Sequence, residues 1–173
     1  MRRIFLFLLV LSGTALAADT PLQPLEFLVG HCWQGAFPDG KSWDKHCYEP
    51  VFEGRFIRDR HVVTGERPAY SGETIYWMDK STRQISYMYF ASDGGVSSGT
   101  VEAQDRTLRF PDEKYTGPDG KAQTFRTVWE RKGEDGYVAV TEQESAGKWV
   151  EAWRVAFTRI PGAPESSLSK PGT

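Results

Sequence analysis

From residue 30 onward, apolar and polar positions alternate with a period of two, in short runs broken by turn residues. Side chains on a strand point to opposite faces in turn, so this alternation predicts half-buried antiparallel strands. The runs cover residues 32–37, 42–52, 55–64, 70–78, 84–91, 96–102, 107–110, 124–131, 137–144 and 149–159. Pro38-Asp39-Gly40, Asp93-Gly94-Gly95, Gly117-Pro118-Asp119-Gly120 and Ala146-Gly147 are among the turns between them. After the N-terminal segment no stretch keeps a helical period for three turns. About ten consecutive strands with short turns describe an up-and-down meander, and a meander that long leaves exposed edges unless it closes. The expected fold is therefore all-β, a closed barrel, with a β-sandwich as the alternative. A barrel of eight to ten strands can hold one small ligand.

The first residues break this pattern. Met1-Arg2-Arg3 is a short basic start, residues 4–11 are apolar, and the next six end in Ala15-Leu16-Ala17. The apolar run is too short to span a bilayer and has the layout of a secretory signal peptide. Residues 1–17 are read as that signal, with cleavage after Ala17 or Ala18, which makes the mature protein periplasmic or secreted. Residues 25–160 form the expected domain. The tail 161–173 is rich in Pro, Ser and Gly and reads as disordered.

Composition narrows the function classes. The 173-residue chain is 39% hydrophobic and 25% charged, an ordinary globular balance for one core. Aromatic residues reach 13%, with six Trp, which suits a pleated surface. The net charge is −2, and loss of Arg2 and Arg3 takes Lys+Arg from 21 to 19 against 23 acidic residues. A mildly acidic chain without a basic run is poorly suited to nucleic acid. It also lacks a polybasic or amphipathic segment for a membrane surface. No cysteine stands directly after the apolar run, in residues 12–18, to carry a lipid, and composition is silent on oligomeric state.

Cys32 and Cys47 are the only cysteines. A first hairpin turning through the four residues 38–41 sets Cys32 opposite Cys47, within disulfide reach. A bulge at Gly40 would shift the register by one and put the thiols on opposite faces; the alternative to a disulfide is two buried free thiols. Export favours the disulfide. His31-Cys32 and His46-Cys47 suggest zinc, but adjacent strand residues face opposite ways and cannot share an ion, so no metal is expected from them. Gly95-Val96-Ser97-Ser98-Gly99 matches a hydrolase elbow, yet a hairpin and a strand flank it where a strand and a helix are required.

Several segments carry a family likeness. Leu25-Glu26-Phe27-Leu28-Val29-Gly30 followed by Trp33, then Phe52-Glu53-Gly54-Arg55-Phe56-Ile57, Tyr70-Ser71-Gly72-Glu73, Tyr76-Trp77-Met78-Asp79, Phe125-Arg126-Thr127-Val128-Trp129 and 153–159 resemble a lipocalin-like, calycin-like bacterial family of unknown function. That family is distantly related to nitrobindins and fatty-acid-binding proteins. The resemblance implies a calycin-like barrel with Trp33 plugging one end and Arg159 stacked on it. Gly30 and Trp33 stand three apart, where the family has two. Nitrobindins hold haem through a late histidine. This chain has no histidine after His61, so haem does not carry over and no cofactor is expected.

Charges within strands supply the candidate site. Arg58 and Arg60 share one face of the third strand, and Ile57, Asp59 and His61 share the other. Arg126 and Glu142 lie in later strands, and Trp77, Tyr87, Tyr89 and Trp153 add aromatic surface. With the arginine faces inward, Arg58, Arg60, Trp77, Tyr87, Arg126, Glu142 and Trp153 would line a cavity suited to a small apolar or amphipathic ligand, with an arginine for an anionic group. With them outward, the arginines pair with acids on neighbouring strands. One sequence leaves this parity open. No catalytic residue is assigned. An enzyme acting on a small acid in the same cavity, with Glu142 and a His or Tyr as acid and base, is the second expectation. A ligand-free interaction domain of the cell envelope is the third.

Overall fold

A computed structural model describes residues 21–66 and 68–162, apart from the side chain of Asp112. The signal-peptide reading and most of the tail lie outside these residues. Ten antiparallel strands close into one barrel: β1 (Cys32–Ala36), β2 (Ser42–Val51), β3 (Phe56–Gly65), β4 (Tyr70–Asp79), β5 (Gln84–Ala91), β6 (Val96–Gln104), β7 (Thr107–Thr116), β8 (Ala122–Arg131), β9 (Gly136–Ser145) and β10 (Lys148–Arg159). Each strand pairs with the next, and β1 pairs with β10 through Trp33 opposite Arg159, so no strand among the described residues keeps a free edge.

The turns form for a local reason. Four of them begin near an aspartate whose carboxylate accepts backbone N–H bonds two residues on. Asp39 accepts from Lys41 at 2.9 Å, Asp79 from Ser81 at 2.8 Å, Asp93 from Gly95 at 2.9 Å and Asp119 from Lys121 at 3.1 Å. In the first hairpin the Phe37 N–H donates to the Ser42 carbonyl at 2.9 Å, which encloses the loop 38–41 and sets Cys32 opposite Cys47. The two are joined as a disulfide, with Cα atoms 4.1 Å apart.

The alternation predicts most strand limits to within two residues, but β7 runs on to Thr116. Pro111 has no N–H to give the ladder, which favours ending the strand there. The chain instead shifts register between Phe110 and Glu113 and resumes pairing with β8. A second shift, between Glu151 and Trp153, lets β10 follow β9 around the closure.

The core fills one end of the barrel. A short 3-10 turn, Gln23–Leu25, brings Leu22, Leu25 and Leu28 against Trp33 and Tyr48, and the Trp33 indole donates to the Leu28 carbonyl at 3.3 Å. Phe27 packs edge-on to Trp33 and Tyr137. Arg159 lies over the Trp33 ring at 5.3 Å and Arg131 over Phe27 at 4.9 Å. This layer closes the end where the chain enters β1. The opposite end, at the β1–β2 and β3–β4 connections, is left for the cavity.

Candidate functional site: a polar cluster in an aromatic cavity

The barrel encloses a cavity of about 520 Å³ that reaches Phe37 and Pro68 at the end opposite the plug. This is the size of a small-molecule site. Aromatic and aliphatic side chains from β4, β5 and β7–β10, Phe110, Trp129 and Phe157 among them, form most of its wall. Two hydroxyl pairs or acid groups interrupt that wall on the far side. Thr127 and Thr141 share a hydrogen bond of 2.9 Å, and Ser97 donates to Glu113 at 2.7 Å.

The main polar feature sits on β2 and β3. Asp44 and His46 are two apart on β2 and face inward together. His61 is directly opposite His46 on β3, and Asp59 is two before it. Period two and cross-strand register therefore gather four chemistry-bearing side chains on one patch. The His46 Nδ1 lies 2.8 Å from Asp59 Oδ2 and its Nε2 lies 3.1 Å from Asp44 Oδ2. The His61 Nδ1 lies 3.0 Å from Asp44 Oδ1 and its Nε2 lies 2.9 Å from the Tyr89 hydroxyl, which donates to the Tyr70 hydroxyl at 2.7 Å. The two imidazoles stack, centroids 4.8 Å apart and planes 15° apart.

Electrostatics follows from this arrangement. Burial opposes a charge on His46, but the carboxylates of Asp44 and Asp59 on either side raise its pKa well above the usual imidazole value. Both ring nitrogens then carry protons, one for each acid. Burial would likewise raise Asp44. The charge of His46 and hydrogen bonds from both imidazoles outweigh it and hold this carboxyl below the usual carboxylate range. Glu113 is different. Burial raises it, the Ser97 and Tyr87 hydroxyls offset this only in part, and no cation is found against it among the described residues. Burial also raises Tyr70 (pushed up to about 12), Tyr87 and Tyr89, so all three stay neutral hydroxyls, and Tyr89 donates to Tyr70.

Two glycines make room for this wall. A Cβ on Gly72 would lie 2.3 Å from the Tyr89 ring, and one on Gly99 would lie 2.7 Å from the Tyr87 hydroxyl. Each tyrosine lies across the bare backbone of the neighbouring strand.

The residues singled out in the sequence separate by face. Tyr87 and Trp153 line the cavity. Arg58, Arg60, Trp77, Arg126 and Glu142 do not: the face of β3 that carries Ile57, Asp59 and His61 turns inward, with Asp59 only 2% exposed. Arg58 and Arg60 instead pair with Glu49 on the outside of β2. Arg126 pairs with Glu142 at 2.5 Å and lies over Trp149 at 4.5 Å, also outside. Among the described residues, no lysine or arginine lines the cavity. Sequence reasoning missed Asp44, His46, His61 and Glu113 as a group. The signal available was Asp-x-His on one strand with a histidine at the matching position of the next; Glu113 was hidden by the bulge. The metal reading considered only adjacent His-Cys pairs. Asp44, His46 and His61 place three possible ligand atoms within 4.8 Å of one another.

No family model matches the chain, and no curated protein matches it. Among solved structures, the crystal structure of Rv2717c from M. tuberculosis is similar. The TM-score is 0.58 at 12% identity, over 84% of this chain and 99% of that one. The likeness shows the barrel fold. At that identity it carries neither ligand nor activity.

Proposed function

We propose that this chain is an exported binding protein whose barrel takes up one small amphipathic molecule. The observation that carries the reading is the cavity of about 520 Å³, apolar over most of its wall and polar on the β2–β3 side. An apolar body fits against Phe110, Trp129 and Phe157, and a polar head reaches the Tyr70, Tyr89 and His61 groups. Among the described residues the lining has no lysine or arginine, and beside His46 and His61 it holds Asp44, Asp59 and Glu113. This disfavours the anionic head that inward arginines would have served, and favours a neutral or cationic one. The lipocalin-like resemblance supports the same reading. So does the buried cystine, which suits an oxidising compartment and hence the signal-peptide assignment of residues 1–17.

The test is native mass spectrometry of protein exposed to a cell-envelope extract, with displacement of a fluorescent apolar probe. Ala139 lies on the cavity wall, and Ala139→Trp should abolish probe uptake while the fold persists by circular dichroism. Equal probe binding by wild type and this variant would refute the reading. Catalysis in the same cavity is the second reading, and the observation behind it is the continuous Asp44–His61–Tyr89 contact, a carboxylate, an imidazole and a hydroxyl in sequence. Glu142 has no place in it, because Arg126 holds it outside.

A further inference from the structure

We propose that Asp44, His46 and His61 form a binding site for one divalent transition-metal ion of the zinc class, with an open coordination position facing the cavity. Four observations lead there. The donor set is two imidazoles and one carboxylate, which suits zinc, cobalt or iron(II) and not the all-oxygen preference of calcium or magnesium. The three ligand atoms already lie within 4.8 Å of one another and all line the cavity. In a tetrahedral site with bonds of about 2.0–2.1 Å the donors stand roughly 3.3 Å apart, so closure draws the widest pair in by up to about 1.5 Å, together with a ring rotation.

The third observation is the outer layer. Imidazoles that bind metals are held by a hydrogen bond at the nitrogen remote from the ion, usually to a carboxylate. His46 has that bond from Nδ1 to Asp59 at 2.8 Å, and His61 has it from Nε2 to the Tyr89 hydroxyl at 2.9 Å. Each ring thus turns its other nitrogen toward Asp44. The fourth is charge. Asp44 and Asp59 are two carboxylates with side chains 13% and 3% exposed, and one divalent ion supplies two positive charges beside them. On loading, the ion takes the place of whatever proton the ligand nitrogens, His46 Nε2 and His61 Nδ1, hold toward Asp44; that proton leaves to solvent, and nothing is oxidised or reduced. The remote nitrogens face Asp59 and the Tyr89 hydroxyl.

One rearrangement is required. An imidazole binds through a lone pair in its own plane, and the two rings lie nearly parallel. One ring must turn out of the stack for both to reach the ion. Three protein ligands leave a position for water or for the head of a bound molecule. Only this last point rests on the cavity's role in binding.

The experiment uses the tag-free full chain, stripped with chelator and titrated with Co²⁺, then with Zn²⁺ in competition. The expected result is one Co²⁺ per chain, visible absorption of tetrahedral or five-coordinate cobalt, and its loss on adding Zn²⁺. Asp44→Asn, His46→Ala and His61→Ala should each weaken binding at least tenfold. Asp59→Asn, acting through His46, should weaken it roughly 10–100-fold. His31→Ala, with its ring against Trp33 outside the cavity lining, should leave it unchanged. Less than 0.1 Co²⁺ per wild-type chain at micromolar metal would overturn the proposal, whatever the variants do. So would wild-type binding that survives all three ligand substitutions in folded protein. Probe uptake is measured in parallel. Probe without metal refutes this site alone, and metal without probe refutes only the amphipathic-ligand reading.

Discussion

Replacing Gly72 by alanine perturbs the site through its wall without touching a polar group. The new Cβ would stand 2.3 Å from Tyr89 Cε2 and 2.4 Å from its hydroxyl oxygen. Carbon contacts settle near 3.5–4.0 Å, so the ring must withdraw by about 1 Å or more. The Tyr89 hydroxyl sits 2.9 Å from His61 Nε2 and 2.7 Å from the Tyr70 hydroxyl, and such a shift takes both past hydrogen-bonding range. Two bonds at roughly 0.5–1.5 kcal/mol each give a loss of about 1–3 kcal/mol. Replacing a strand glycine returns roughly 0.5–1 kcal/mol of chain entropy. The expected net cost is therefore about 1 kcal/mol, within a span of roughly 0–2.5 kcal/mol. Urea denaturation of wild type, Gly72→Ala, Tyr89→Phe and the double variant measures it. Tyr89→Phe already lacks both bonds, so Gly72→Ala should cost about 1 kcal/mol or more less in that background. An equal cost in both backgrounds would show that the glycine is not what seats Tyr89 against His61.

The Cys32–Cys47 link closes 15 residues, for which loop entropy gives about 3 kcal/mol; paired alanines at both positions should lower urea stability by roughly that amount, and dithiothreitol should affect wild type but not the variant. Burial raises Glu113 above its unfolded value, so the native state binds more protons than the unfolded one between those two values, and stability falls as pH rises through that window. The groups facing it are Ser97 and Tyr87, and Glu113→Gln should flatten the decline in thermal melts from pH 4 to 8; an unchanged slope would place its origin elsewhere. Arg58→Ala and Arg126→Ala remove exterior ion pairs that are partly exposed, so each should cost no more than about 1 kcal/mol and leave probe uptake as in wild type. Loss of uptake in either would contradict the outward face of these arginines.

The amino-acid order by itself determined most strands and turns, and it favoured the disulfide over two free thiols without deciding between them. These rest on short-range physics: side-chain alternation, aspartates that bond their own turns, and a hairpin whose loop length sets its register. Closure was legible too, because ten sequential strands with edges have few other ways to satisfy their backbone groups. The candidate site was not. Arg58 and Asp59 are neighbours with the same period, and either face of β3 could have been the inner one from local sequence alone. The tertiary structure decided it by packing Ile57 and Val63 inside and giving the arginines Glu49 outside. Once that face turned in, register across β2 and β3 brought Asp44, Asp59, His46 and His61 together, and the bulge at Pro111 carried Glu113 in. Such a cluster depends on contacts between strands and on which side of the sheet becomes the interior, and no single strand contains that information.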